Sequence, residues 1–172
     1  SVDRSELAQR AIDDDTYSVQ TSVLTLTSDN ESALFYIKNN ETLPLRIVLV
    51  ALWTSPSTGG ATTAGGILLG KTNVTGGTII SDATAPGVNI NRRVGDPKTL
   101  TADLFEGGEG KTGTGGVDSG RTISTAGAPL VLNLEIILDP GNTITFMYTP
   151  PSGNTSMQAI AAIIAQIIDE DM

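Results

Sequence analysis

Three groups of residues have types and spacings that bear on chemistry. Residues 65 to 72, Gly-Gly-Ile-Leu-Leu-Gly-Lys-Thr, satisfy G-x-x-x-x-G-K-[ST] at every fixed position, the pattern of a loop that cradles nucleotide phosphates. A near match follows at Glu106-Gly-Gly-Glu-Gly-Lys111-Thr112, with Phe105 where the first glycine belongs. Asp103, Glu106 and Glu109, or Asp13, Asp14 and Asp15, supply the acids that glycoside hydrolysis needs in pairs about 5 to 10 Å apart. The same Asp13 to Asp15 run, or the Glu106 to Asp118 stretch, offers oxygen ligands for calcium, without the spaced ligands of an EF-hand. Trp53, Tyr17, Tyr36 and Tyr148 are the rings from which a sugar-stacking platform would be built, although the strands around them favour packing.

The phosphate-loop reading fails on its own terms. Such a loop needs a strand before it, a flexible turn whose N–H groups point inward, and a helix N-terminus directly after it. Here Ile67, Leu68 and Leu69 fill the variable positions with bulk, and Asn-Val-Thr-Gly-Gly-Thr after Thr72 cannot start a helix. A strand from Ile67 to Lys71, flanked by turns, is expected instead. The second match reads as a surface loop and the acids as solvated, so no catalytic, cofactor-binding or metal-binding residue is assigned, and no cofactor is expected.

Composition narrows the field further. The chain has 172 residues, enough for one domain with a hydrophobic core. With no histidine and no cysteine it lacks the commonest general base, thiolate chemistry, disulfides and Cys-type zinc sites. Ten basic against nineteen acidic residues give a net charge of −9, and Arg92-Arg93 is the only adjacent basic pair, so neither nucleic acid nor a membrane surface is expected as a partner. No apolar leader region opens the sequence and no run of about 18 apolar residues exists, which reads as soluble. Four N-x-[ST] sequons, at Asn30, Asn40, Asn73 and Asn154, read as polar surface.

The elements that must position these residues are strands. Residues 1–16 are the most charged segment and read as an arm with a short helix, stopped by Asp13 to Asp15; residues 17–172 read as one domain. Val19, Thr21, Val23 and Thr25 alternate before a Ser-Asp-Asn-Glu turn, and Ala33 to Ile37 forms a second strand. Leu45 to Trp53 is apolar on both faces, which predicts a strand covered on both sides. Residues 55 to 120 hold most of the Gly and Thr, with strand fragments at Ile67 to Leu69, Thr78 to Ile80 and Leu100 to Phe105. Leu130, Leu132, Leu134, Ile136 and Leu138 alternate, as do Ile144, Phe146 and Tyr148. Met157 to Ile168 fits helical spacing or a strand, and its β-branched content favours the strand. Seven to nine strands with long excursions give an all-β chain, an antiparallel sandwich of jelly-roll type with a short N-terminal arm.

The run Asn39-Asn-Glu-Thr-Leu-Pro-Leu to Gly60, the Thr72 to Ala83 and Asn89 to Gly116 stretches, and the ending Pro150 to Asp169 together resemble small jelly-roll virion structural proteins, decoration- or cement-like, of tailed bacteriophages and related prokaryotic viruses. The resemblance covers roughly residues 25 to 168 and is one of pattern. It implies a homotrimer on a virion assembled in the host cytoplasm, with the major capsid protein or other virion proteins as partners and no catalytic residues. The arm, through Arg4, Leu7 and Arg10, and the long loops, through Thr58, Gly59, Phe105 and Lys111, are then the expected contacts. Two alternatives stay open: a tail, collar or fibre component, and a carbohydrate- or receptor-binding module.

Overall fold

A computed structural model describes residues 16–59, 65–124 and 129–168, excepting the side chains of 133–135. Along the chain run β1 (Thr16–Gln20), β2 (Leu24–Leu26), β3 (Ser32–Asn39), β4 (Leu45–Thr54) and β5 (Ile67–Thr72). A one-turn helix α1 (Thr78–Ser81) follows, then β6 (Val88–Asn91), β7 (Ala102–Glu106), β8 (Val117–Ile123), β9 (Leu130–Leu138), β10 (Thr143–Thr149) and β11 (Met157–Ile167). The arm falls outside the described residues up to Thr16, which already belongs to β1.

All strand pairs are antiparallel and make two sheets, β6-β1-β11-β4-β9, with β2 also on β11, and β7-β3-β10-β5-β8. β1 and β2 are one interrupted strand. Both pair β11, and between them Thr21 N donates to Ala161 O at 2.9 Å while its hydroxyl accepts from Ala161 N at 3.1 Å. With that unit counted once, and β6 and β7 set aside, eight strands pair first with last, second with seventh, third with sixth and fourth with fifth. That is one long antiparallel hairpin, tipped between β5 and β8, rolled into two sheets: the jelly roll. Residues 73 to 116 are an insertion at the tip, and they return β6 to the edge of one sheet and β7 to the edge of the other.

The period-2 alternation decides which side chains meet. Tyr17, Val19, Leu45, Ile47, Val50, Leu52, Ile163 and Ile167 from the first sheet face Phe35, Ile37, Leu68, Ile144, Phe146 and Tyr148 from the second, nearly all without solvent contact. β11 is therefore a strand, and the helical spacing of its isoleucines is incidental. β4 changes parity midway, because a bulge between Ile47 and Leu49 sends Leu49 outward and leaves Val50 in the core.

The outer faces of the two sheets are treated differently. Over the second, the insertion folds back, so that Ile79 and Ile80 pack with Ala33, Tyr36, Leu69, Phe105 and Met147 in a separate apolar cluster. Thr78 to Ile80 is thus a helical turn and not the strand fragment expected, since Gly77 at φ 107 turns the chain and Ser81 N reaches back to Gly77 O. On the first sheet the expectation that Leu45 to Trp53 is covered on both sides is corrected at its end, Trp53 being 38% exposed, while Arg46 and Leu49 are half-buried.

Tyr148 is fully buried, with its hydroxyl 3.3 Å from Ser124 Oγ. Burial pushes its pKa above the ordinary tyrosine value, the Ser124 contact offsetting part of the rise; Tyr36 is raised likewise by burial and then by Asp103. The folded chain thus holds these protons after the unfolded chain has released them. Their contribution is complete below about pH 10 and is lost as the pH climbs through the raised folded values. Urea unfolding between pH 9 and 11 should show stability falling with pH, and Tyr148→Phe should flatten that fall.

Candidate functional site

The residues singled out for chemistry are occupied by the fold. β5 contains most of the phosphate-loop pattern and lies inside its sheet, paired with β10 on one side and β8 on the other, so its N–H groups serve the ladders. The next helix, α1, begins six residues beyond Thr72 and is a single turn. The glycines have packing reasons. A Cβ on Gly65 would overlap the carbonyl of Ser124, and one on Gly66 the ring of Tyr148.

The three candidate acids of the middle region clip separate parts of the chain together. Glu106 is buried and accepts from the Ser22 amide and, at 2.9 Å, from its hydroxyl, bracing the break between β1 and β2. Glu109 accepts from Thr27 N at 2.9 Å and Ser28 Oγ at 2.6 Å, and Asp103 from Asn40 Nδ2 at 2.9 Å. Among the described residues no three carboxylates gather as a cation site, and Asp13 to Asp15 lie outside them. Tyr17, Tyr36 and Tyr148 are in the interior, which leaves Trp53 as the one exposed member of that aromatic set. Asn154, expected at the surface, is 4% exposed, because its amide is the hub of an internal network; Asn30, Asn40 and Asn73 are exposed.

Of the expected contact residues, Arg4, Leu7 and Arg10 lie outside the described residues. Thr58 forms a β-bridge to Ser156, and Gly59, at φ 80, is pressed against Thr155. Phe105 stacks on Tyr36 with ring centres 5.4 Å apart and planes 8° from parallel. Lys111 donates to Asp82 at 2.6 Å, and this holds the Asp82 carboxyl below its usual range; its own carbonyl accepts from Ala33 N. The structure places Thr58 and Gly59 at the surface and Phe105 and Lys111 half-buried, and does not gather the four into one patch.

What it brings together instead is the outer face of the β6-β1-β11-β4-β9 sheet. Directly paired residues point to the same side of a sheet. Outward pairs on β4 and β11 are Trp53 with Ile160, Ala51 with Ala162, and Leu49 with Ile164. β9 adds Val131 opposite Ala51 and Ile137 opposite Arg46, and β6 adds Val88 and Ile90 opposite Gln20 and Ser18. Val131, Ile137 and Ile90 are each at least half exposed. A groove of about 300 Å³ runs along β11 between Trp53 and Leu49 on one side and Val88 and Ile90 on the other, floored by Ala162 and Ile164. No carboxylate lies among the described side chains lining the groove, in a chain of net charge −9. Outward apolar residues on four of the five strands, with Ser18 and Gln20 of β1 between them, make this face the candidate for an interaction surface. Single-strand reading missed it, since β4, β6, β9 and β11 each contribute only two or three outward apolar residues. The signal was present in the two-sided apolar character of β4, read there as coverage.

No protein-family model matches the chain, and no curated protein matches it. Among solved structures it is similar to the Yersinia pseudotuberculosis-derived mitogen, with 15% identity, 89% of this chain and 87% of that one covered, and a TM-score of 0.40. It is also similar to a chain of infectious bursal disease virus, Gx strain, with 10% identity, 88% of this chain and 32% of that one covered, and a TM-score of 0.36. The chain spans about a third of the length of that viral protein. The VP2 subviral particle of the same virus matches with 10% identity over 91% of this chain and 42% of that one, at a TM-score of 0.21. Structural neighbours thus include viral particle proteins, and the jelly roll itself follows from the strand order.

Proposed function

We propose that the chain is a non-enzymatic virion structural protein, a capsid decoration or cement protein of a tailed bacteriophage or related prokaryotic virus, which works through subunit contacts. The observation that carries the reading is the division of labour between the two outer faces. The insertion at the hairpin tip covers one face with its own apolar cluster, while the other keeps Trp53, Ile90, Val131 and Ile137 open to solvent. Such a module gains free energy by burying area against neighbours at symmetric junctions, and thereby opposes internal pressure in a packed particle. The described candidate acids, Asp103, Glu106 and Glu109, each accept hydrogen bonds from elsewhere in the chain, and the pattern resemblance in residues 25 to 168 points to the same class.

The test is a particle assembled with and without the protein. Capsids lacking it should package, yet lose their contents on heating or at low ionic strength before complete capsids do. Equal survival would sink cementing, and antibody labelling of the tail rather than the shell would assign the protein to a tail or collar. A sugar-binding module is less well supported, because three of the four rings that would form its platform are interior. Binding of the purified protein on a glycan array would reverse that judgement.

A further inference from the structure

We infer that the outer face of the β6-β1-β11-β4-β9 sheet is the surface through which two copies of this chain meet, each Trp53 seated over the Ala162 floor of the other copy. The inference rests on the reading of that face as an interface and names its occupant. The outward pairs along β4 and β11 run large, small, large: Trp53 and Ile160, Ala51 and Ala162, Leu49 and Ile164. The part-exposed Trp53 indole and the Ala51–Ala162 pair that makes the low point beside it are therefore two residues apart along β4, about 7 Å. In a two-fold contact the same patch is used on both sides, so a knob and a hole that close together fill each other when the axis passes between them. The groove along β11 has Trp53 as one of its own walls, which brings the two rings side by side once both are seated.

Area and charge agree. Five strands about 4.8 Å apart and the nine-residue pairing of β4 with β11, at about 3.3 Å per residue, give a footprint on the order of 700 Å². A stable interface of standard size buries roughly 800 Å² per partner. Two chains of charge −9 repel, and a groove whose described lining is free of carboxylates is where that repulsion is least.

Trp53 is the sole tryptophan, which gives a reporter that needs no mutation. Light scattering and tryptophan emission are followed together from nanomolar to high micromolar protein. Self-association with emission moving to shorter wavelength along the same curve is expected. Ala162→Arg, which fills the floor with a charge, should yield a monomer with unshifted emission, and Trp53→Ala should weaken association about 30-fold or more, as for a central aromatic anchor. Circular dichroism and thermal melting verify that both variants fold; if Ala162→Arg does not, Trp53→Ala carries the test. A monomer at all concentrations, or an oligomer indifferent to both substitutions, overturns the inference. A monomer that binds capsids through Trp53 and Ala162 overturns it too, while leaving the virion role standing; self-association through this face with no effect on particle survival removes the virion role and leaves the inference.

Discussion

Replacing Asn154 by alanine is expected to destabilise the chain by about 3 kcal/mol, seen as a melting temperature lower by roughly 6 to 12 °C. The side chain is 4% exposed and makes three hydrogen bonds. Its amide donates to Leu26 O at 3.1 Å and Ser28 O at 2.9 Å, and its carbonyl accepts from Ser57 Oγ at 2.6 Å. These join the end of β2, the loop after β4 and the turn between β10 and β11. Alanine removes about 1 kcal/mol per bond and strands the Leu26 carbonyl and the Ser57 hydroxyl away from water, and each such buried group costs about 1 to 3 kcal/mol unless the site relaxes. Ser57→Ala, which removes one bond and leaves the other two, should cost about 1 kcal/mol, and the double variant should fall short of the sum, since both delete the same contact. Additive losses would mean that the network is not the source of the effect. Asn154→Asp offers an acceptor where two carbonyls need donors, so its loss should be no smaller than that of alanine.

Much of the fold was legible because strand alternation is a local property. Leu130, Leu132, Ile136 and Leu138 point inward as their spacing predicts, and Ile144, Phe146 and Tyr148 oppose them across the sandwich. The Asp139 to Asn142 turn between those strands closes as its residue types require, with Asn142 N on Asp139 O at 3.0 Å and Gly141 at φ 85. The jelly-roll order itself depends on which strands pair across 100 residues or more, as β1 does with β11, and that is not written in any window of the chain.

The exposed outer face proposed for interaction was hidden for a related reason. Apolar residues on both sides of β4 are compatible with a covered strand or with one sealed on the core side and open on the other. Among the described segments the route of residues 73 to 116 decides between them, and that insertion lies over the opposite sheet, held by Ile79 against Ala33 and Met147. Asn154 was misplaced by type: a polar residue in a Ser-Gly-Asn-Thr-Ser turn reads as surface, whereas here three backbone and side-chain partners converge on it. Glu106 shows the same effect, an acid drawn inside by the Ser22 amide where β1 breaks.

The fold and the phosphate-loop pattern both require glycine at 65 but make opposite demands at Gly66, Gly70 and Lys71, which permits a decisive substitution series. In the pattern Gly66 is a free position, while Gly70 and Lys71 are fixed. In the jelly roll, a Cβ on Gly66 would overlap the ring and hydroxyl of Tyr148, which is fully buried and cannot swing away. Gly66→Ala must therefore displace either the start of β5 or a core ring, and the expected cost of this overpacking is about 3 kcal/mol. Gly65→Ala meets the backbone carbonyl of Ser124, which also accepts no easy shift, and should cost a similar amount. At Gly70 the nearest atom is the Ser119 hydroxyl at 2.7 Å, the far end of a short side chain on the exposed edge strand β8, so Gly70→Ala should cost under about 1 kcal/mol. Lys71→Ala lies on a half-exposed position and should be close to neutral. Urea midpoints of the four variants, each measured with and without millimolar magnesium–ATP, separate the two readings. Large losses at 65 and 66, small ones at 70 and 71, and no shift with nucleotide are what a strand inside a sheet requires. A nucleotide-dependent stabilisation abolished by Lys71→Ala would instead restore the phosphate loop and overturn the proposal of a non-enzymatic role.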